Sequence, residues 1–168
     1  MANFTARRIK SSFVLQFQAP PSKVFPLLCP VREYEWIESW ECEMLHSDSG
    51  IAEKNCVFRT GSVGDPLSDV WVISHYEPNT QIAFVRTNGL RISCSSITLT
   101  DNGDGTSRSV VEQLLVGLTE KGNQSLDGIA EKFSSDWCAG GIREATLNHF
   151  LTTEKMLPLQ DAAAVASK

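Results

Sequence analysis

The fold is decided by the stretch Ser107–Asn123, SRSVVEQLLVGLTEKGN, because the spacing of apolar residues changes there. Up to Leu118 the apolar residues suit a β-strand, and beyond Asn123 they recur at the spacing of a helix with one apolar face. We therefore predict a final strand followed by one long helix over roughly Leu126–Met156. The residues on the inner face of this predicted helix are Ile129, Phe133, Trp137, Ile142, Ala145 and His149.

Upstream of this stretch, further segments have strand character. In the first, Ser12–Gln18, large apolar side chains occupy every second position and share one face. Asn88-Gly89 is typical of a tight hairpin turn. Strands joined by short turns most simply pair with their sequence neighbours, which predicts an antiparallel sheet. The other predicted strands are Trp40–Met44, Cys56–Thr60, Asp69–Tyr76, Gln81–Thr87 and Arg91–Thr100.

Two short helices are predicted between the first and second strands. Ser22 can cap one that ends near Leu28, and Pro30 suits the first turn of the other. The order of elements predicts an α+β fold, in which a seven-stranded antiparallel sheet wraps around the long C-terminal helix. We expect one domain over residues 1–168, with a core at 12–157 and flexible ends at 1–11 and 158–168. The Ala-rich end from Asp161 is expected to fray.

Composition narrows the class of protein. A chain of 168 residues that is 42% hydrophobic and 21% charged is globular, and its net charge of −5 argues against nucleic-acid partners. No apolar run reaches the about 20 residues that span a bilayer, and Met1–Lys10 lacks the apolar region of a secretory signal. Five cysteines without a CxxC pair favour reduced thiols and a cytoplasmic protein. Three separated histidines give no metal-ligand spacing, so we expect no metal site and no cofactor.

Three stretches resemble the START-like, or SRPBCC, superfamily. FVLQFQAPPSKVFPLL at 13–28 is similar to its first strand, bend and first helix, and PVREYEWIESWECEML at 30–45 is similar to its second helix and second strand. VGLTEKGN at 116–123 is similar to the entry to its C-terminal helix. The resemblance implies a helix-grip fold, shared with pathogenesis-related plant allergens, with a cavity between the sheet and the long helix. Members of the superfamily bind lipids, sterols, polyketides and other apolar molecules, and a minority catalyse reactions on them.

A cavity of this kind is expected to be lined mainly by aromatic side chains on the inner phase of each element. The alternative for any one of them is ordinary core packing, which large aromatic residues also provide. The candidate lining residues are Trp36, Trp40, Met44, Phe58, Phe84, Leu114, Phe133 and Trp137.

Glu112 is the best candidate for a polar or catalytic group. It shares its strand phase with Val110, Leu114 and other apolar residues, which predicts that it faces the cavity. A carboxyl group in such a place can hold a proton or act as an acid or base. If Arg86 also faces inward, it is a candidate ion-pair partner of Glu112 inside the cavity. In the alternative, a different register sends Glu112 to solvent, and Arg86 and His75 lie on the outer face of the sheet.

Three classes of function remain open at this point. The first is binding of a small hydrophobic or amphipathic molecule in the internal cavity. The second is a cyclase, dehydratase or hydrolase that acts on a polyketide-like or lipid-like substrate through Glu112. The third is an interaction protein of the chaperone-activator type, for which Trp71 and Ile73 would supply an apolar patch on the outer sheet face.

Overall fold

The computed structural model describes residues 4–61, 68–133 and 141–166 of the chain. Its strands form a seven-stranded antiparallel sheet in the order β1-β7-β6-β5-β4-β3-β2. The predicted antiparallel sheet is therefore confirmed, and strands β2 to β7 each pair with their sequence neighbours. The strands are β1 (Arg8–Phe17), β2 (Cys42–His46), β3 (Val57–Thr60), β4 (Asp69–Glu77), β5 (Gln81–Thr87), β6 (Arg91–Asp101) and β7 (Ser107–Gly117).

The helices also follow the predicted order. Helix α1 (Pro21–Val24) continues as a 3₁₀ helix at Phe25–Leu28, and a second 3₁₀ helix covers Glu33–Glu35. After the sheet come α2 (Glu120–Phe133), α3 (Gly141–Thr153) and α4 (Leu159–Ala166). The helical region thus begins before the predicted Leu126, and residues 134–140 of the predicted helix lie outside the described part of the chain. None of the described helices is both long and apolar enough to cross a membrane.

Both predicted flexible ends contain ordered elements. At the N-terminus β1 begins at Arg8, and the backbone N–H of Arg7 donates to Asn123 Oδ1 at 2.9 Å. At the C-terminus α4 packs against α3, Ala162 is fully buried, and the N–H of Leu159 donates to Glu38 Oε2 at 2.7 Å. The expectation of a frayed Ala-rich tail is wrong over α4, because its small residues allow close packing on a neighbouring helix.

Helix α3 is fixed across the sheet by side chains that satisfy the backbone of the edge strand β1. Glu144 Oε2 accepts from the N–H of Gln16 at 2.7 Å, and Asn148 Oδ1 accepts from the N–H of Gln18 at 2.9 Å. Asn148 Nδ2 donates in return to the carbonyl of Gln16 at 2.8 Å. These bonds occupy a strand edge that would otherwise be unpaired. They also hold α3 opposite the inner face of the sheet.

The inner face of β7 carries odd-numbered residues, which corrects the predicted phase. Ser107, Ser109, Val111 and Leu115 are buried, whereas Glu112 is exposed. Leu114 shares the outer face with Glu112, so the prediction that these two line the cavity is wrong. The cause is that both faces of β7 are rich in Val and Leu, while the inner face also carries small and polar residues. Counting apolar residues therefore selects the wrong face.

A β-bulge in β4 changes the phase of that strand between Ile73 and His75. Trp71 and Ile73 face inward before the bulge, and Tyr76 faces inward after it, where it packs edge-on against Phe25 at 5.2 Å. Ile73 is fully buried. The predicted outer patch of Trp71 and Ile73 is therefore wrong. A strict alternation of faces along the strand does not account for the residue that a bulge inserts.

Candidate functional site

A cavity of about 330 Å³ lies between the inner face of the sheet, the two 3₁₀ helices and α3. Its volume is at the lower end of the range for small-molecule sites, roughly 300–1,000 Å³. Apolar side chains make up most of the wall, and polar side chains enter it at a few positions. Among the apolar lining residues are Phe13, Leu15, Phe58, Trp71, Phe84 and Leu147.

One wall of the cavity is a cluster of three aromatic rings. Phe58 and Trp71 stack with their centroids 5.4 Å apart, and Phe84 meets both edge-on at 6.4 Å and 5.9 Å. The order of β3, β4 and β5 in the sheet brings these rings together. The Trp71 indole is further fixed by its Nε1 hydrogen bond to Thr60 Oγ1 at 2.7 Å. This wall presents a rigid aromatic surface to the cavity.

Four of the sequence-predicted site residues line the cavity: Trp40, Phe58, Phe84 and Arg86. Arg86 lies 4.5 Å from the centroid of the Trp71 ring and bonds Asp69 Oδ2 at 3.2 Å. It therefore faces inward and pairs with Asp69, not with Glu112 as predicted. His75 lies on the exposed outer side of β4, 3.8 Å from Glu77 Oε2.

The other predicted site residues lie elsewhere. Trp36 is fully buried between the 3₁₀ helix and α3, and its Nε1 donates to the carbonyl of Leu27 at 2.9 Å. Met44 packs against the core and accepts from Cys56 Sγ at 3.5 Å. Glu112 and Leu114 lie beside a groove on the outer face of the sheet. The Phe133 side chain and Trp137 are outside the described part of the chain.

Sequence reasoning missed an ion pair on the cavity wall whose carboxylate is buried. Glu33, in the second 3₁₀ helix, is 6% exposed, and its Oε1 accepts a hydrogen bond from Nη2 of Arg143 on α3. The Arg143 guanidinium lies 5.2 Å from the centroid of the Trp36 ring. Both Glu33 and Arg143 line the cavity. Glu33 stands among Arg32, Tyr34 and Glu35 in the sequence, so no local pattern separates it from a solvated surface.

Burial raises the pKa of Glu33 from its ordinary value near 4.5 to about 7, although the nearby Arg143 acts in the opposite direction. The desolvation of a carboxylate therefore outweighs the attraction of one guanidinium here. A carboxyl group with this pKa exists in both protonation states near neutral pH. It can accept or donate a proton without a large free-energy cost.

A strip of polar side chains crosses the inner face of β7. Ser107 Oγ donates to the carbonyl of Ala19 at 2.7 Å, but Ser109 Oγ and Gln113 Oε1 are buried with no hydrogen-bond partner among the described residues. Ser109 and Gln113 line the cavity, and Gln113 is paired across the sheet with Ser11 and Ser95. An unpaired buried polar atom is unfavourable, roughly 1–3 kcal/mol. A ligand atom that bonded these groups would remove part of that cost.

Over the described residues, no group of three or more His, Cys, Asp or Glu side chains is arranged to hold a metal ion. The polar side chains of the cavity instead offer hydrogen bonds and one guanidinium–carboxyl pair. Their chemistry suits an organic molecule with a few oxygen atoms.

Comparison with protein-family models and with curated proteins gives no match. Similar solved structures exist. Protein Ms6760 from Mycobacterium smegmatis has a TM-score of 0.56 at 13% identity, covering 86% of this chain and 91% of that one. Ara h 8.0201 has a TM-score of 0.52 at 13% identity, covering 76% and 92%.

DynU16, a protein of the dynemicin biosynthetic locus, has a TM-score of 0.51 at 19% identity. The match covers 89% of this chain but 48% of DynU16, so the chain spans about half the length of that relative. At these identities the likeness establishes the fold alone. The seven-stranded sheet with its C-terminal helix agrees with these neighbours in architecture.

Proposed function

We propose that the chain, which shares its fold with Ara h 8.0201 and protein Ms6760, binds a small hydrophobic or amphipathic molecule in the cavity. The observation that carries this proposal is the space of about 330 Å³ between the sheet and α3, which the described side chains do not fill. Protein interiors are otherwise close-packed, and empty space of this size lowers stability. A binding function explains why such space is kept.

The make-up of the wall supports the same proposal. The rigid ring cluster of Phe58, Trp71 and Phe84 favours a flat apolar ligand body. Ser109 and Gln113 add hydrogen-bonding groups on the opposite part of the sheet. This combination of an apolar surface with a few fixed polar groups is typical of small-molecule sites.

An enzymatic function is the second candidate, and it now depends on a different residue. Glu112 is on the outer face and cannot act in the cavity. Glu33 lines the cavity with a pKa of about 7, which suits a general acid or base. A chaperone-activator role loses its predicted surface, because Trp71 and Ile73 point into the interior.

The binding proposal is tested by filling the cavity. Ser95 lies on the inner face of β6 and lines the cavity, whereas its neighbour Ser96 faces outward. We expect Ser95→Phe to abolish binding of 2-(2-naphthyl)ethanol, a neutral flat probe, because the new ring occupies the ligand space. Ser96→Phe is the matched control and should bind as the wild type does. Isothermal titration calorimetry measures both, and equal binding to the two variants would contradict the proposal.

A further inference from the structure

The charged side chains of the cavity differ in their hydrogen-bond partners and in their exposure. Glu33, Arg86 and Arg143 are the charged residues on the described part of the wall. Arg86 bonds Asp69 and stacks on Trp71. Arg143 bonds only Glu33 among the described residues, and the Arg143 side chain is 39% exposed. The Arg143 guanidinium is therefore the charged group through which the wall can meet a ligand.

The orientation of Arg143 is fixed before any ligand arrives. Its guanidinium lies over the Trp36 ring, and Trp36 is held by its hydrogen bond to the Leu27 carbonyl. One terminal nitrogen of Arg143 donates to Glu33, and the guanidinium carries further N–H donors. A planar guanidinium of this kind matches the two oxygens of a carboxylate.

We propose that the cavity binds its ligand through a carboxylate headgroup at the Arg143 guanidinium, and that Glu33 becomes protonated as this anion binds. The inference rests on the proposed ligand-binding function and names the ligand class of that site. The apolar body of the ligand lies against the Phe58, Trp71 and Phe84 rings, and its head lies between Glu33 and Arg143. The proton comes from solvent to one Glu33 oxygen, whose O–H then donates to the ligand carboxylate.

The surroundings of Glu33 identify it as the group that takes up the proton. Burial raises the pKa of Glu33 to about 7, and a second anion beside it would favour the protonated form further. Arg143 faces it from α3. Cys42 faces it from β2, where burial and the Glu33 charge raise the pKa of the thiol to about 12 and keep it neutral. Next to it in the sequence, Arg32 Nε and Glu35 Oε1 pair at 2.7 Å, and both side chains are partly exposed.

Other headgroups fit this site less well. An ammonium group would be repelled by Arg143, and a neutral hydroxyl would use only one of the guanidinium donors. A carboxylate uses two donors of Arg143 and accepts from protonated Glu33. The cavity volume of about 330 Å³ limits the ligand to a small monocarboxylate with an aromatic or branched body.

The test compares two probes that share one body, 2-naphthylacetate and 2-(2-naphthyl)ethanol, by isothermal titration calorimetry. We expect the carboxylate to bind roughly tenfold more tightly, as charge-assisted hydrogen bonds contribute more than neutral ones. At pH 8, titrations in buffers of different ionisation enthalpy should show uptake of close to one proton with the carboxylate. Its affinity should rise as the pH falls from 8 to 6, and the affinity of the alcohol should stay constant.

Variants assign these effects to residues. Glu33→Gln should remove the proton uptake and keep the preference for the carboxylate, whereas Arg143→Met should remove the preference. Arg32→Met is the matched control, since it also removes a paired arginine near this helix but not from the cavity wall, and it should change neither effect. The wild-type measurements stand even if a variant fails to fold.

The outcomes separate the two proposals. Equal binding of both probes, or carboxylate binding without proton uptake at pH 8, overturns the inference and leaves the ligand-binding function intact. Binding of neither probe contradicts the ligand-binding function, and the carboxylate inference falls with it.

Discussion

At the scale of single residues, Glu33 stands out in the described part of the protein because it is a buried carboxyl group with a raised pKa. It is almost completely buried, and its partner Arg143 only partly offsets the loss of hydration. Keeping a carboxylate there lowers stability at neutral pH. Its place on the cavity wall gives a reason for tolerating that cost, because a group that titrates near neutrality can respond to a bound ligand.

The raised pKa of Glu33 makes the stability of the protein depend on pH. Between about pH 4.5 and 7 the native state holds a proton on Glu33 that the unfolded chain has lost, so the free energy of unfolding falls as pH rises. The decrease should be on the order of 3 kcal/mol. Urea unfolding at pH 5 and pH 8 should show this loss for the wild type relative to Glu33→Gln.

Glu35→Gln is the control for this experiment. The hydrogen bond from Arg32 lowers the pKa of Glu35 below its ordinary value. A carboxyl group shifted in this direction adds stability as the pH rises, so Glu35 should contribute no loss between pH 5 and pH 8. If the free energy of unfolding changed equally with pH in the wild type and in Glu33→Gln, Glu33 would be ionised across this range and the prediction would be contradicted.

At the scale of elements, the start of α2 depends on a close approach between helix and sheet. Thr119 caps the helix, since its Oγ1 accepts from the N–H of Gly122 at 2.9 Å. Gly122 lies in the first turn, directly against the β5–β6 hairpin. A Cβ atom at Gly122 would lie 1.9 Å from the carbonyl oxygen of Leu90. That carbonyl is itself fixed, because it accepts from the N–H of Leu118 at 2.8 Å.

Gly122→Ala should therefore destabilise the protein even though alanine is the better helix former. The expected loss in free energy of unfolding is about 2 kcal/mol or more, since backbone overlap outweighs the roughly 1 kcal/mol gain in helix propensity. Gln124→Ala, at an exposed position of the same helix, is the control and should change stability little. Denaturant unfolding measures both, and a stabilised Gly122→Ala variant would contradict the observed approach to Leu90.

At the scale of the whole molecule, the cavity is produced by the way the parts are held together. The β1 edge is bonded to Glu144 and Asn148 of α3, which sets that helix at a fixed place over the sheet. The aromatic cluster occupies one part of the enclosed space, and the small residues Ser95 and Ser109 leave room in another part. The space therefore results from a rigid frame combined with small inward side chains.

This arrangement predicts that a side chain which fills the cavity raises stability and removes ligand binding. Ser95→Phe should raise the free energy of unfolding of the ligand-free protein by about 1 kcal/mol, because the ring buries apolar surface in space that is otherwise empty. The same variant should no longer bind ligand. Ser96→Phe places the same ring on the outer face and should not stabilise the protein. Thermal unfolding without ligand compares the three proteins, and a destabilised Ser95→Phe variant would show that the cavity is too small for the ring.

The sequence alone determined the kinds of elements and their order, because periodicity and turn residues act over short distances along the chain. The alternation in Gln81–Thr87 and the Asn88-Gly89 turn placed β5 and its hairpin correctly. By contrast, the helical spacing of apolar residues predicts a start near Leu126, whereas α2 begins at Glu120, after the Thr119 cap. A glycine is required at position 122 because the Leu90 carbonyl leaves no room for a Cβ atom, and no local pattern reveals this contact.

Only the tertiary structure decided which side of each element faces the cavity. Glu112 has apolar neighbours on its own face of β7 and is exposed, whereas Glu33 has charged neighbours in sequence and is buried. The inner face of a strand is set by the partner that covers it, and a bulge such as that in β4 shifts the phase without changing the composition. The Glu33–Arg143 pair joins residues far apart in the chain. The raised pKa of Glu33 exists only because folding removes water from its carboxyl group.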